Sequence, residues 1–529
     1  MQILYFLIFT VLVAVISYIA TRKTKESTND GYFLGGRSLT GVVIAGSLLL
    51  TNLSTEQIVG LNGAAYKEGI LVMAWETLAA IAIVITAIIL LPRYLKGGIT
   101  TVPQFLEERY DKTTKTITSV LFLSGYMIVL LPIVLYSGAL AINTMFNIPE
   151  LLGVSDTAAL WISVWGIGII GSIYAVFGGL KAVAVSDTIN AIGLLTGGLL
   201  IPYFGLLLLG DGSITDGWNN LVISNPQKFN SIGNSSASVP FATIFTGMML
   251  VQLFYWGTNQ AIIQRALGAK NLKEGQKGLL LAAFIKILVP LIVVIPGIIA
   301  FQLFKDNPLQ NSDQAYPLLV SKVLPTSLLG FFAAVLFGAV LSSFNSALNS
   351  SSTLFGLDIY KSYINKNASE KQTVKVSKTF GIILAIFSMT IAPFIANAPN
   401  GLFGYLQEVN GCYSIPILTI ILVGYITKYV PAIAAKIAII SGVVFYSISQ
   451  FILKPFVFGS DNYPHYLHVM AILFAINIAV MLIIGYFKPR KQPYIQEYSH
   501  EVDITAWKYL YIMGGSIVII VLSIYYYFS

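Results

Sequence analysis

The sequence predicts an all-α integral membrane protein of about fourteen transmembrane helices, ten of them forming two inverted five-helix repeats whose first helices are broken. Three observations lead there. The chain is 56% apolar and only 10% charged, where a soluble domain carries about 25% charged residues. Its apolar residues collect into stretches of membrane-crossing length. Two of those stretches are interrupted by polar residues, five spans apart.

A helix needs about 20 mainly apolar residues to cross the hydrocarbon. Such stretches run over 2–20, 40–62, 70–94, 117–146, 157–178, 184–210, 242–264, 278–304, 327–352, 374–396, 402–427, 430–453, 463–487 and 507–528. The first lacks the basic leading region of a signal peptide and is followed at once by Thr21-Arg22-Lys23. It reads as a retained span with its N-terminus outside. The boundaries divide the chain into a leading span and inner loop (1–30), a first repeat (31–210, spans two to six), an outer loop (211–241), a second repeat (242–428, spans seven to eleven) and three peripheral helices (429–529).

Lysines and arginines test the topology. Of the 31, twenty-five are assigned to loops or span ends on one side, from Arg22, Lys23 and Lys25 through Arg109 and Arg265 to Lys508. Five fall on the other side, and Lys286 lies within a span. Cytoplasmic loops collect such residues, so both termini are expected outside, in a multi-pass plasma-membrane protein surrounded by lipid. The segment 211–241 is rich in Gly, Asn and Ser and reads as a loop. No GxxxxGK[ST] phosphate loop occurs, which argues against ATP as an energy source. The basic residues are dispersed through short loops, so the net charge of +8 does not indicate nucleic-acid binding. The single cysteine, Cys412, allows no intrachain disulfide, and three histidines without a His/Cys cluster argue against zinc or haem.

Four ionisable residues read as lying at membrane depth: Glu56, Glu76, Lys286 and Glu408. A charge at membrane depth costs about 2.5–3.5 kcal/mol on insertion scales, so such groups face a bundle interior or an aqueous cavity. The second span carries Asn52-Leu-Ser-Thr-Glu-Gln57 between two apolar halves, and the seventh carries Gln252-Leu-Phe-Tyr-Trp-Gly-Thr-Asn-Gln260. Irregular backbone survives in a membrane only where it is buried or lines a cavity. Broken helices at matching places in inverted repeats point to a binding site near the midplane.

These segments resemble the solute:sodium symporter family, and within it the bacterial sodium/galactose transporters. The resemblance rests on Gly31-Tyr-Phe-Leu-Gly-Gly-Arg-Ser-Leu39, Asn52 to Gln57, Tyr174-Ala-Val-Phe-Gly-Gly-Leu-Lys-Ala-Val183 with Asp187, Tyr255-Trp-Gly-Thr-Asn-Gln260 with Gln264-Arg265, Ser342-Ser343, and Asp358-Ile-Tyr-Lys361. It implies the ten-helix inverted-repeat core, here spans two to eleven. It also implies sodium as the coupling ion, held by the carbonyls of Leu50, Leu53 and Ala339 and the hydroxyls of Ser342 and Ser343. Asp187 falls near the ion's exit, and reads equally as an interfacial carboxylate beside Lys181.

A sugar needs side chains that both donate and accept, with an aromatic face to stack on. By the resemblance, Asn52, Gln57, Glu76, Gln252, Trp256, Lys286 and Gln407 fall on sugar-contacting positions. Tyr255 falls on the aromatic platform and inner gate, and Leu61, Trp75 and Phe403 on the outer gate. Glu76 and Lys286 also read as a structural pair. Glu56 and Glu408 each neighbour a proposed ligand and read as supports. Where the transporter has a serine, an asparagine, a tyrosine and a methionine, this chain has Ala79, Gln252, Trp75 and Leu61, so the pocket is related but not the same. The expected function is sodium-coupled symport of a neutral monosaccharide by alternating access, not catalysis. Inositol, an amino acid, a vitamin or an organic acid is the alternative cargo on the same scaffold.

Overall fold

A computed structural model describes residues 2–21, 27–397, 402–459 and 462–529. The basic residues Arg22, Lys23 and Lys25 lie outside the described residues. Among those described, eleven helices are long and apolar enough to cross a membrane, and a twelfth is the bent pair Phe241–Gly257 and Gln260–Leu267. The other two predicted spans are also helical. The first is Gln2–Thr21, with an apolar stretch of 17 residues at Leu4–Ala20. The second is split into Gly41–Asn52 and Thr55–Glu68.

Both predicted breaks are present, each for a local reason. In the second span Leu53 leaves helical geometry at φ −80°, ψ 56°, and Ser54 is extended before the helix restarts. In the seventh span Thr258 and Asn259 interrupt the helix, which bends by 47° there. The Asn259 side chain accepts from the Ala261 N–H at 3.0 Å and so starts the second half. Side chains of this type compete with the helix backbone and favour such caps. Gln252, Tyr255 and Trp256 sit on the helix before the break rather than within it.

The fifth and sixth spans, Asp156–Ile173 and Gly179–Leu209, meet where Gly179 takes φ 57°. A Cβ at that glycine would lie 2.9 Å from the Tyr32 carbonyl oxygen, so only glycine fits both the turn and the contact.

The eighth span packs on both halves of the second and on the third, while the fifth–sixth run packs on the ninth. Both breaks are buried: Leu53, Ser54, Thr258 and Asn259 are all shielded from solvent. The peripheral helices stack outward, the twelfth and thirteenth on the eleventh and the fourteenth on the third and eighth. The segment 211–241 differs from the loop expected of it. Ser213 caps a helix, Ile214–Ser224, and Trp218 packs edge-to-face on Phe229 at 5.5 Å.

Two arginines assigned to loops are instead fully buried: Arg109 and Arg265. Arg109 donates to the carbonyls of Gly424, Thr427 and Val430 at 2.8, 3.0 and 3.1 Å. It closes the carbonyl-rich end of the eleventh span, where a cation is favoured.

Candidate functional site

Four of the predicted solute residues form one connected network. Lys286 on the eighth span pairs with the Glu76 carboxylate on the third and donates to Asn52 Oδ1 at the end of the second span's first half. The other Glu76 oxygen accepts from Gln57 Nε2 at 2.6 Å. Glu76 and Lys286 are fully buried, and Asn52 and Gln57 are each 8% exposed. The chain Asn52–Lys286–Glu76–Gln57 therefore holds one positive and one negative charge across the break of the second span. A buried charge is tolerated when it is paired and hydrogen-bonded, and each of these is both.

The seventh span closes a second side. Trp256 presents its ring to Lys286, 5.5 Å from the ammonium to the centroid, and packs edge-to-face with half-buried Tyr255 at 5.4 Å. The Tyr255 hydroxyl lies against Asn52. Gln252 Nε2 donates to the Trp75 carbonyl at 2.7 Å, which ties the seventh span to the start of the third. Gln407 is half-buried on the eleventh span and does not join this network.

Beside it lies an aromatic pair. Trp75 and Phe403 meet edge-to-face, 5.1 Å between centroids. Both line a cleft together with Lys67, Glu68, Asp313, Glu408 and Lys454. Leu61 is fully buried nearby, in the same apolar cluster. A Cβ on Gly60 would sit 2.6 Å from Phe403 Cβ, so a side chain there would push the second and eleventh spans apart. Glu408 pairs with Lys454 on the twelfth span at 2.6 Å. Glu56 is buried, and its Oε2 has no hydrogen-bond partner.

The second and ninth spans also meet at the break of the second. A helix end leaves its last carbonyls without partners from the next turn. Leu50 lies in the last turn before the break, and Leu53 is the first residue beyond it. Ala339, by contrast, lies within the unbroken helix Thr326–Thr353. Ser343 Oγ donates to the Thr51 carbonyl at 2.8 Å, which brings the ninth span against the break. Ser342 Oγ is buried near Asp187 without a well-formed hydrogen bond. Asp187 is buried on the sixth span and accepts from Ser47 Oγ at 2.6 Å. It makes no ion pair with Lys181.

Residues 32–442 match the model of the sodium:solute symporter family. The chain belongs to the sodium:solute symporter family. Similar curated proteins include an uncharacterized symporter, YidK, of Escherichia coli K12, 50% identical over 99% of this chain and 90% of that protein. A sodium/glucose cotransporter of Vibrio parahaemolyticus is 35% identical over 80% of each chain. The sodium/myo-inositol cotransporter 2 of Oryctolagus cuniculus is 29% identical over 91% of this chain and 75% of that one. Among solved structures, a Na+-coupled sialic acid symporter in a substrate-bound outward-open state superposes with TM-score 0.77 at 21% identity, covering 93% of this chain and 99% of that one. At that identity the likeness speaks for the fold.

The family and fold are those of secondary transporters. As a sodium:solute symporter, this multi-pass membrane protein has a polar core that extends beyond the residues inferred from sequence. Ser47, Thr51, Arg265 and Ser346 form a hydrogen-bonded cluster with Asp187 beside the contact of the second and ninth spans. Arg265 was visible in the Gln264-Arg265 motif, but its position after the last apolar residues of the span hid its burial. The serines and Thr51 carry no signal in a single sequence, because small hydroxyl residues also serve close helix packing.

Proposed function

We propose that this symporter moves a neutral, hydroxyl-rich solute of monosaccharide or cyclitol size into the cell together with sodium, by alternating access. The observation that carries the reading is the buried, charge-balanced chain Asn52–Lys286–Glu76–Gln57 facing Trp256 and Tyr255. Its donors and acceptors alternate, as solute hydroxyls require, and its net charge of zero disfavours a free anion. The names of the glucose and myo-inositol relatives point to the same chemical class.

Asn52, Gln57, Glu76, Gln252, Trp256 and Lys286 contact the solute, with Gln407 approaching as the lid closes. Tyr255 supports it from the cytoplasmic side, and Leu61, Trp75 and Phe403 close over it. Sodium binds between the second and ninth spans, on the carbonyls of Leu50, Leu53 and Ala339 and the hydroxyls of Ser342 and Ser343. It leaves past Asp187. In support, Ser342 Oγ is buried beside the Asp187 carboxylate without a well-formed hydrogen bond, and a buried hydroxyl oxygen near a carboxylate suits a hard cation. Both termini face outward, as the lysine and arginine distribution indicates.

One sodium moving down about 100 mV supplies about 2.3 kcal/mol, enough for more than tenfold accumulation. Sodium and solute each tighten the other's binding by the same factor. The test is uptake of a labelled sugar and polyol panel into proteoliposomes under an imposed sodium gradient. At least one hexose or cyclitol is expected to accumulate. Uptake that is indifferent to replacing sodium by choline would overturn the coupling. A Gln57→Ala or Lys286→Ala protein with normal uptake would overturn the pocket.

A further inference from the structure

We infer that Arg265 is a positioning residue that bolts shut the route from the solute pocket to the lysine- and arginine-rich face, so that loosening it lets sodium cross without solute. The inference rests on the sodium–solute symport reading given above. Arg265 lies on Gln260–Leu267, the second half of the broken seventh span, nine residues beyond Trp256 toward Lys270 and Lys273. Its guanidinium is fully buried and reaches in three directions. It donates to the Ala261 carbonyl on its own helix, to Ser47 Oγ on the second span at 3.3 Å, and to Ser346 Oγ on the ninth.

Each serine hands the contact on. Ser47 donates to Asp187 on the sixth span at 2.6 Å, and Ser346 shares a 3.0 Å hydrogen bond with Thr51 on the second. Ser343 then donates to the Thr51 carbonyl. Four spans, two from each repeat, are thus tied around one side chain on the side of the pocket away from the Trp75–Phe403 lid. A planar fork of five donors serves several acceptors at once, which a lysine ammonium cannot do in the same geometry. The second and ninth spans it joins are also those proposed to hold sodium. Departure of the ion and release of the bolt therefore act on the same two helices, and an intact bolt keeps the ion from leaving alone.

The experiment uses the full-length protein in proteoliposomes containing a sodium-sensitive dye. Sodium influx is measured with no solute present, for wild type, Arg265→Gln, Arg265→Lys and the milder Ser346→Ala and Ser47→Ala. Solute-free influx is expected to rise at least tenfold in Arg265→Gln, and by a smaller factor in Arg265→Lys and the two serine variants. Sodium-driven accumulation of the solute selected by the uptake panel should fall toward unity, while its equilibrium binding stays within threefold of wild type. A merely structural role would lower binding and accumulation together and leave influx unchanged. If Arg265→Gln does not fold, the three other variants decide. Influx at the wild-type level in every folded variant overturns the bolt. Because influx is read without any solute, a wild-type protein that accumulates none of the panel would defeat the symport reading and leave the bolt separately measured.

Discussion

Replacing Glu76 by Gln tests the central pair. The substitution keeps the side-chain shape but removes the charge that faces Lys286. Glu76 uses both oxygens, one toward Lys286 and one toward Gln57 at 2.6 Å. The variant keeps an acceptor for Gln57 and leaves the Lys286 ammonium with Asn52 Oδ1 as its remaining hydrogen-bond partner. Both charged groups are fully buried, so no water replaces the lost contact. Breaking a buried pair from one side costs about 3–5 kcal/mol, whereas removing both charges is often close to neutral. Glu76→Gln and Lys286→Met alone should each lower the unfolding midpoint of the detergent-purified protein by several degrees. The double variant should recover most of that loss, so the coupling energy in the cycle should exceed either single loss of about 3–5 kcal/mol. All three should lose solute uptake, because the double variant restores stability but not the donor and acceptor. A single variant as stable as wild type, or a double variant less stable than both singles, would refute the pairing argument. A double variant that transports normally would refute contact with the solute.

Three further outcomes follow from the geometry. Gly60→Ala places a methyl group 2.6 Å from Phe403 Cβ; it should hold the lid open, slowing uptake at least tenfold while equilibrium solute binding persists. Ser343→Ala removes the hydroxyl that meets the Thr51 carbonyl and is proposed to face sodium; the half-saturating sodium concentration should rise about tenfold, the loss of about 1.4 kcal/mol of ion binding, and an unchanged sodium dependence would remove Ser343 from the ion site. Asp111 caps the helix beginning at Lys112, accepting from the Thr114 N–H at 2.8 Å and from Lys436 at 2.7 Å. Its partial burial favours a raised carboxyl pKa, but these hydrogen bonds outweigh it and hold the group below its usual value. A lowered carboxylate pKa stabilises above the unfolded value, near pH 4, and the benefit fades as pH falls through the folded value. The loss of thermal stability in Asp111→Ala should therefore be full at pH 7 and shrink below about pH 4; a loss independent of pH would refute it.

The helical spans and both breaks were legible because each has a local cause. Hydropathy over about 20 residues reports a span, and Asn, Ser and Thr clusters report where the backbone abandons a helix. The segment 214–224 was misread as loop because its helix is short, begins at a serine cap and buries only one face. Arg265 was misread as a loop residue because burial at a span's end depends on neighbours remote in sequence.

The four charges read as lying at membrane depth show where local reading stops. Their presence in an apolar chain pointed to the interior of the helix bundle, since a charge facing lipid is costly. Which charge met which partner was decided only in three dimensions. Lys286 crosses 210 residues of sequence to reach Glu76, Glu408 turns to Lys454 in the cleft, Glu56 keeps an unpartnered oxygen, and Gln407 stays out of the network that its resemblance assigned it. Composition and periodicity are properties of neighbouring residues, so one chain suffices to place helices and their breaks. Ion pairs, the Trp75–Phe403 contact and the Arg265 cluster arise from helices packed across both repeats, and their partners meet only once the fold brings them together.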